Sequence, residues 1–166
     1  MSKFTTRQLV AVSLVAATYA SLTIFAPIPQ YGEIQLRIAE VLTLLVFINP
    51  IFAPGVVLGC FIANLFSTVN PVLDAVFGTL HSAISVFFIA RFSKNLVIAS
   101  LWPTIFSFII GAMIIIAIGA GWDFMLFATF TGFVMVGQFA AVTIIGVPLF
   151  MLLMKNNKLM EILKGI

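Results

Sequence analysis

Charge is scarce in this chain: 8% of its 166 residues are Asp, Glu, Lys or Arg, 63% are hydrophobic, and the mean hydropathy is +1.26. Such a composition cannot offer water a polar exterior, so the solvent of this protein is the lipid bilayer. Cysteine occurs once, as Cys60 inside an apolar segment, which excludes an internal disulfide and a Cys-rich metal site and leaves a packing thiol. Histidine also occurs once, as His81, so there is no H-E-x-x-H pair, and no G-x-x-x-x-G-K-[ST] loop for ATP occurs either. Eight basic residues against five acidic ones give a net charge of +3. The bases stand at segment ends rather than in one groove-sized patch, which argues against a nucleic-acid partner.

What is present is a succession of apolar runs divided by Pro, Gly, Asn and isolated charges. At roughly 20 residues per span, the length accommodates about six transmembrane helices in a single domain, residues 1–166. The runs are Gln8–Ala26, Ile34–Ile48, Phe52–Ser67, Asp74–Phe92, Asn95–Gly119 and Phe124–Met154. The first follows Lys3 and Arg7 as a signal peptide does, but it exceeds the roughly 7–15 residues of such a core and reads as a retained span. Asn49-Pro50 and Pro54-Gly55 leave the second and third helices short or broken, either crossing or forming a re-entrant hairpin. The expected fold is therefore all-α, a six-helix membrane bundle. Lys- and Arg-rich short loops stay cytoplasmic. With both termini inside, Lys3, Arg7, Arg91, Lys94, Lys155, Lys158 and Lys164 fall on that side, and only Arg37 dissents. Glu33, Glu40, Asp74 and Asp123 then mark an acidic outer face, with Glu161 the lone inner acid.

An ionisable group in hydrocarbon costs at least about 2.5–3.5 kcal/mol on insertion scales, so each one needs a partner or a ligand. Arg37 and Glu40 are neighbours on a helix face: either they pair with each other, or Glu40 accepts ligand N–H groups while Arg37 orients it or meets a ligand oxygen. Asn64 offers a donor and an acceptor to a neighbouring helix or to a ligand. Asp74 follows Asn70-Pro71 and either caps the fourth helix or ligates; His81, two turns further on, either bonds a carbonyl or joins the site. Gln138 interrupts the last apolar run, where an unpaired amide is costly. Trp122 and Asp123 read as a boundary anchor, and Trp102-Pro103 stays outside the site. Glu40, Asn64, Asp74 and His81 converge on the outer half from three segments, as suits a small polar solute with several N–H and C=O groups. In the first span, Ala16 and Ala20 form a small-residue pair, with Ser13, Ala17 and Ser21 beside it, on which a helix of this chain or of another subunit can close.

The run Ile34-Gln-Leu-Arg-Ile-Ala-Glu-Val-Leu-Thr-Leu-Leu45, then Pro54-Gly-Val-Val-Leu-Gly-Cys-Phe-Ile-Ala-Asn64, then Leu73-Asp-Ala-Val-Phe-Gly-Thr-Leu80 resembles the QueT family of queuosine precursor transporters. Those are substrate-binding S components of energy-coupling factor (ECF) transporters of the ABC class. The resemblance is densest over residues 30–82. It implies a binding subunit in a prokaryotic plasma membrane, with no cofactor, a ligand site near the outer face, and Ala16 and Ala20 docking on an EcfT-like coupling subunit served by two ATPase subunits. The implied substrate is a 7-deazaguanine, with Glu40 or Asp74 meeting its N–H edge and Arg37, Asn64 or Gln138 its carbonyl. Other S components take vitamin precursors such as hydroxymethylpyrimidine or pyridoxine, which stay open as alternatives. Outside this class, Glu40, Asp74 and His81 also suit a membrane-embedded enzyme, and a purely structural subunit is the third reading.

Overall fold

The computed structural model describes residues 4–26, 36–119 and 121–166. Lys3, Tyr31 and Glu33 therefore lie outside the described residues. Among those described there is no strand. Four helices are long and apolar enough to cross a bilayer: α1 (Thr6–Phe25), α4 (Pro71–Phe92), α5 (Leu96–Ile118) and α6 (Phe124–Leu153). Two shorter apolar helices, α2 (Ile38–Ile48) and α3 (Pro50–Asn64), lie between the first two, and a surface helix, α7 (Asn157–Lys164), closes the chain.

Local chemistry sets each start. Thr5 and Gln8 form a reciprocal capping box on α1: the Thr5 N–H donates to Gln8 Oε1 at 2.9 Å and the Gln8 N–H to Thr5 Oγ1 at 3.3 Å. Asn70, Asn95, Asp123 and Asn156 cap α4, α5, α6 and α7 through side-chain oxygens. Asp74 is thus not the cap of α4; Asn70 takes that role one turn earlier, its Oδ1 accepting the Leu73 N–H at 3.1 Å. Gly119 ends α5 in the left-handed region, at φ 65°, where a Cβ would be strained.

Three contacts give the bundle its sense. Gln8 Nε2 donates to the Ile166 carbonyl at 2.8 Å, so the two ends of the chain meet. Asn49 Nδ2 donates to the Leu163 carbonyl at 3.0 Å, which brings the α2–α3 turn to the same end. The third is the seam where α3 lies along α1: a Cβ on Gly59 would stand 2.7 Å from both the Ala16 carbonyl oxygen and Tyr19 Cβ. Backbones approach this closely only where side chains are small. The first seven residues of α2 are wound as a 3-10 helix, whose rise of about 2.0 Å per residue against about 1.5 Å in an α-helix lengthens a short segment.

That seam corrects one expectation. Ala16 and Ala20 are 3% and 7% exposed, buried inside this chain against α3, and present almost nothing to a second subunit. The exposed small residues of α1 are Ser13, Ala17 and Ser21. Elsewhere the outer surface is apolar, with Leu14, Phe25, Phe87, Phe124, Val136 and Leu152 among the side chains facing out, as a lipid solvent requires. In α7 the apolar Met160 turns inward while Lys158, Glu161 and Lys164 are exposed. Buried apolar side chains form two clusters: a large one built on α1 to α4, the start of α5 and the second half of α6, and a smaller one of Ile110, Met113, Ile114, Ile115, Phe130 and Val134.

Candidate functional site

Amid this apolar packing lies a set of polar side chains that water does not reach. Arg37 is 2% exposed, Glu40 and Asn64 0%, Asp74 2%, His81 1% and Gln138 3%. α2 places Glu40 in its first turn, where Oε1 accepts the Tyr19 hydroxyl at 2.6 Å and the Ser82 hydroxyl at 3.3 Å. The other carboxylate oxygen, Oε2, has no hydrogen-bond donor among the described residues. Thr43 fixes the local backbone by donating to the Glu40 carbonyl at 2.6 Å. One oxygen is thus oriented by the Tyr19 hydroxyl, with Ser82 beside it.

Cys60 joins α3 to α4 and to this centre. Its thiol lies 3.5 Å from the Gly78 carbonyl, to which it donates, and its sulfur accepts from Asn64 Nδ2 at 3.3 Å and lies 3.2 Å from Ser82 Oγ, whose one hydrogen is shared between this sulfur and Glu40 Oε1. It is more than packing material, because it takes an Asn64 amide hydrogen and so orients that side chain, whose Oδ1 has no donor among the described residues. Gly78 is needed here: a Cβ would collide with Asn64 Nδ2 and lie 3.4 Å from Arg37 Nη1. Arg37 and Asn64 therefore converge over one bare backbone position of α4.

Asp74 forms a second acidic centre. Ser67 Oγ donates to Oδ2 at 2.5 Å, and Arg37 Nη2 stands 4.0 Å from Oδ1. Arg37 thus has Asp74 as an ion-pair partner, and the expected Arg37–Glu40 couple on one helix face is not its whole role. Residues 74–78 are wound as a π-helix, and 139–146, directly after Gln138, form another. Wide turns of this kind open the backbone ladder and re-aim side chains, and they recur at functional sites.

The structure brings Arg37, Glu40, Asn64 and Asp74 together and sets His81 apart. His81 Nε2 donates to the Pro103 carbonyl at 2.9 Å. That carbonyl is available because the Ser107 N–H turns to Thr104 instead, at 3.2 Å, in the tight turn after the proline. The histidine ties α4 to α5, and Trp102 beside it donates to Ser93 Oγ at 3.1 Å. Gln138 is buried on α6, and its Oε1 has no donor among the described residues. Tyr19, Ser67 and Ser82 escaped the sequence reading. Tyr19 carried a usable signal, as one of only two tyrosines in the chain, set within an apolar span.

Glu40 Oε2, Asn64 Oδ1 and Gln138 Oε1 accept no hydrogen bond among the described residues, and a buried acceptor left so costs free energy. Buried acceptors of this kind call for hydrogen-bond donors. The sequence pattern of the QueT transporter family matches residues 9–155, which takes in every residue of this constellation. The chain belongs to the QueT transporter family. It is similar to the queuosine precursor transporter QueT of Lactococcus lactis subsp. cremoris, with 29% identity over 99 residues, covering 57% of this chain and 59% of that relative. No solved structure matches it. Membership of a transporter family sets aside the membrane-enzyme reading of Glu40, Asp74 and His81.

Proposed function

We propose that this chain is the substrate-binding subunit of an ECF-type importer and that its solute is a queuosine precursor, a 7-deazaguanine. The observation that carries the reading is the pair of buried acceptors, Glu40 Oε2 and Asn64 Oδ1, that take no donor among the described residues although Cys60 and Ser82 link their side chains. The guanine-like edge presents adjacent N–H groups, for which Glu40 Oε2 is a fitting acceptor, and Asn64 Oδ1 and Gln138 Oε1 take further donors. Arg37 meets the ring carbonyl. Family membership and the named function of the lactococcal relative support the same solute.

ATP-driven release to the cytoplasm falls to coupling and ATPase subunits on other chains, since this sequence carries no phosphate-binding loop. Their docking face on this chain is the exposed strip of Ser13, Ala17 and Ser21, which lets a second helix approach as closely as α3 approaches the other side of α1. The membrane is the plasma membrane of a prokaryote, with both termini on the cytoplasmic side. Purified protein in detergent should retain radiolabelled 7-deazaguanine saturably and without converting it. Absence of saturable retention, or appearance of a product, would overturn the reading.

A further inference from the structure

Water does not reach the acceptors of this site, since Glu40 is 0% and Asp74 2% exposed, and a solute enters only if part of the bundle moves. Two neighbouring helices lose their regular winding at one level. In α5, Pro103 brings no N–H, and the N–H groups of Ser107, Ile109 and Ile110 each reach back only three residues, to Thr104 at 3.2 Å, Phe106 at 3.0 Å and Ser107 at 3.0 Å. In α6, the π turns of 139–146 follow directly on Gln138. Thr104 on one helix and Phe139, Ala140 and Ile144 on the other line a cavity of about 320 Å³, so the two irregular stretches face each other without close packing. Tight 3-10 and wide π turns inside a helix are where helices bend.

The two sides of these breaks are held differently. On the side of Ser100 and Thr143, His81 Nε2 donates to the Pro103 carbonyl at 2.9 Å and Thr143 Oγ1 to Ser100 Oγ at 3.1 Å, which ties α5 to α4 and α6 to α5. On the other side, Phe108–Ile118 and Phe124–Gln138 carry their own apolar core, the smaller cluster, and no described residue of 108–138 belongs to the large one. Their backbones close on each other at Gly111, where a Cβ would stand 3.0 Å from Thr131 Cα. Toward the rest of the bundle they are lightly held. Leu73 and Phe77 of α4 touch their core, and a cavity of about 220 Å³ lies between Asp74 and Met113, Ile114 and Ala117. Among the described residues no hydrogen bond or ion pair joins 108–138 to α1, α2, α3 or α4. An element that is rigid within itself and poorly packed on its neighbours opens at low cost.

We propose that Phe108–Ile118 and Phe124–Gln138 form a lid that swings as one piece about the turns at 104–107 and 139–146, and that the gap it opens against the start of α4 is the way a solute reaches the buried carboxylates. The inference rests on the proposed reading of this chain as a solute-binding subunit, but not on which solute it takes. The cavity beside Asp74 is the seam along which the lid parts. A bound solute closes that seam, because it supplies contacts to both sides that the empty protein lacks.

Spin labels on the purified full-length protein read the motion. Phe66→Cys with Phe124→Cys spans body and lid, and Phe108→Cys with Phe124→Cys lies within the lid; all three side chains are exposed, whereas Cys60 is buried. Without solute, the first pair should give a broad distance distribution reaching to longer separations, while the second stays narrow. Ala117→Leu, which fills the cavity beside Asp74, should draw the first distribution to its short end with no solute present. Saturating 7-deazaguanine should do the same in the labelled protein without that substitution. A body-to-lid distribution no broader than that within the lid, or one that Ala117→Leu leaves broad, overturns the lid. A distribution that narrows with Ala117→Leu but not with 7-deazaguanine upholds the lid and counts against the proposed solute.

Discussion

Glu40 divides its work between two oxygens, and substitutions separate them. Glu40→Gln keeps the shape and an acceptor but loses the charge and replaces one acceptor with a donor, so binding of 7-deazaguanine should fall by about tenfold or more while expression and membrane insertion hold. Isothermal calorimetry reads the first and detergent-extracted yield the second; unaltered affinity removes this carboxylate from the site. Tyr19→Phe deletes the 2.6 Å hydroxyl that orients Oε1, and should weaken binding less than Glu40→Gln while lowering the melting temperature, because the oxygen it leaves is buried. At this scale the sequence was informative where polarity is rare. Arg37, Glu40, Asn64 and Asp74 stand out against their apolar surroundings, and all four fall into one network. The serine hydroxyls that complete it were not legible, because a serine in a membrane helix is common and cheap, and only the fold shows that Ser67 and Ser82 lie within reach of carboxylates. His81 was ambiguous for the reverse reason: the carbonyl it meets belongs to Pro103 on another helix and is left by the Ser107 N–H, which turns to Thr104, and no spacing in the sequence announces that pairing.

Glycines decide how the helices meet, and two of them should fail differently. A Cβ on Gly59 meets the Ala16 carbonyl, which is backbone and cannot yield, so Gly59→Ala should part α1 from α3 at a cost of about 1–3 kcal/mol and lower the melting temperature. A Cβ on Gly78 meets the ends of two side chains, Asn64 and Arg37, which can turn aside. Gly78→Ala should therefore fold and insert but bind solute poorly, since the displaced groups belong to the site. A variant that binds normally would show that Asn64 and Arg37 need not converge there. The element pattern itself was largely readable: long apolar runs bounded by Asn, Pro and Gly became α1, α4, α5 and α6, and the short second and third helices were expected from Asn49-Pro50. What periodicity could not reveal were the 3-10 winding of α2 and the π turns at 74–78 and 139–146, because these are adjustments of a helix to its neighbours rather than properties of its own residues. The two alanines of α1 show the same limit. A small-residue pair says that something packs closely, and only the fold shows that the partner is α3.

The whole molecule has two ends that differ in charge, and its orientation in the membrane determines which side the solute comes from. Gln8, Asn49, Leu163 and Ile166 meet at one end, and the basic residues Lys155, Lys158 and Lys164 lie on the segment that closes it. Basic short loops remain cytoplasmic, so this end should face inward and Trp122, at the α5–α6 turn, outward. The single cysteine makes the question easy to ask, because Cys60 is fully buried and gives an impermeant maleimide nothing to attack. Trp122→Cys should label in intact cells, and Lys158→Cys only after the membrane is opened. The opposite pattern would turn the protein over and place its acidic site toward the cytoplasm, against the proposed import. With the orientation fixed, the same cells test the coupling face: replacing Ser13, Ala17 and Ser21 by Leu enlarges side chains that are already exposed, so the bundle keeps its core and its affinity for solute. Uptake should nonetheless collapse in the presence of the ATPase module, because a bulky strip holds the coupling helix too far away to transmit a rotation. Full uptake by that triple variant would move the docking surface to another face of the bundle.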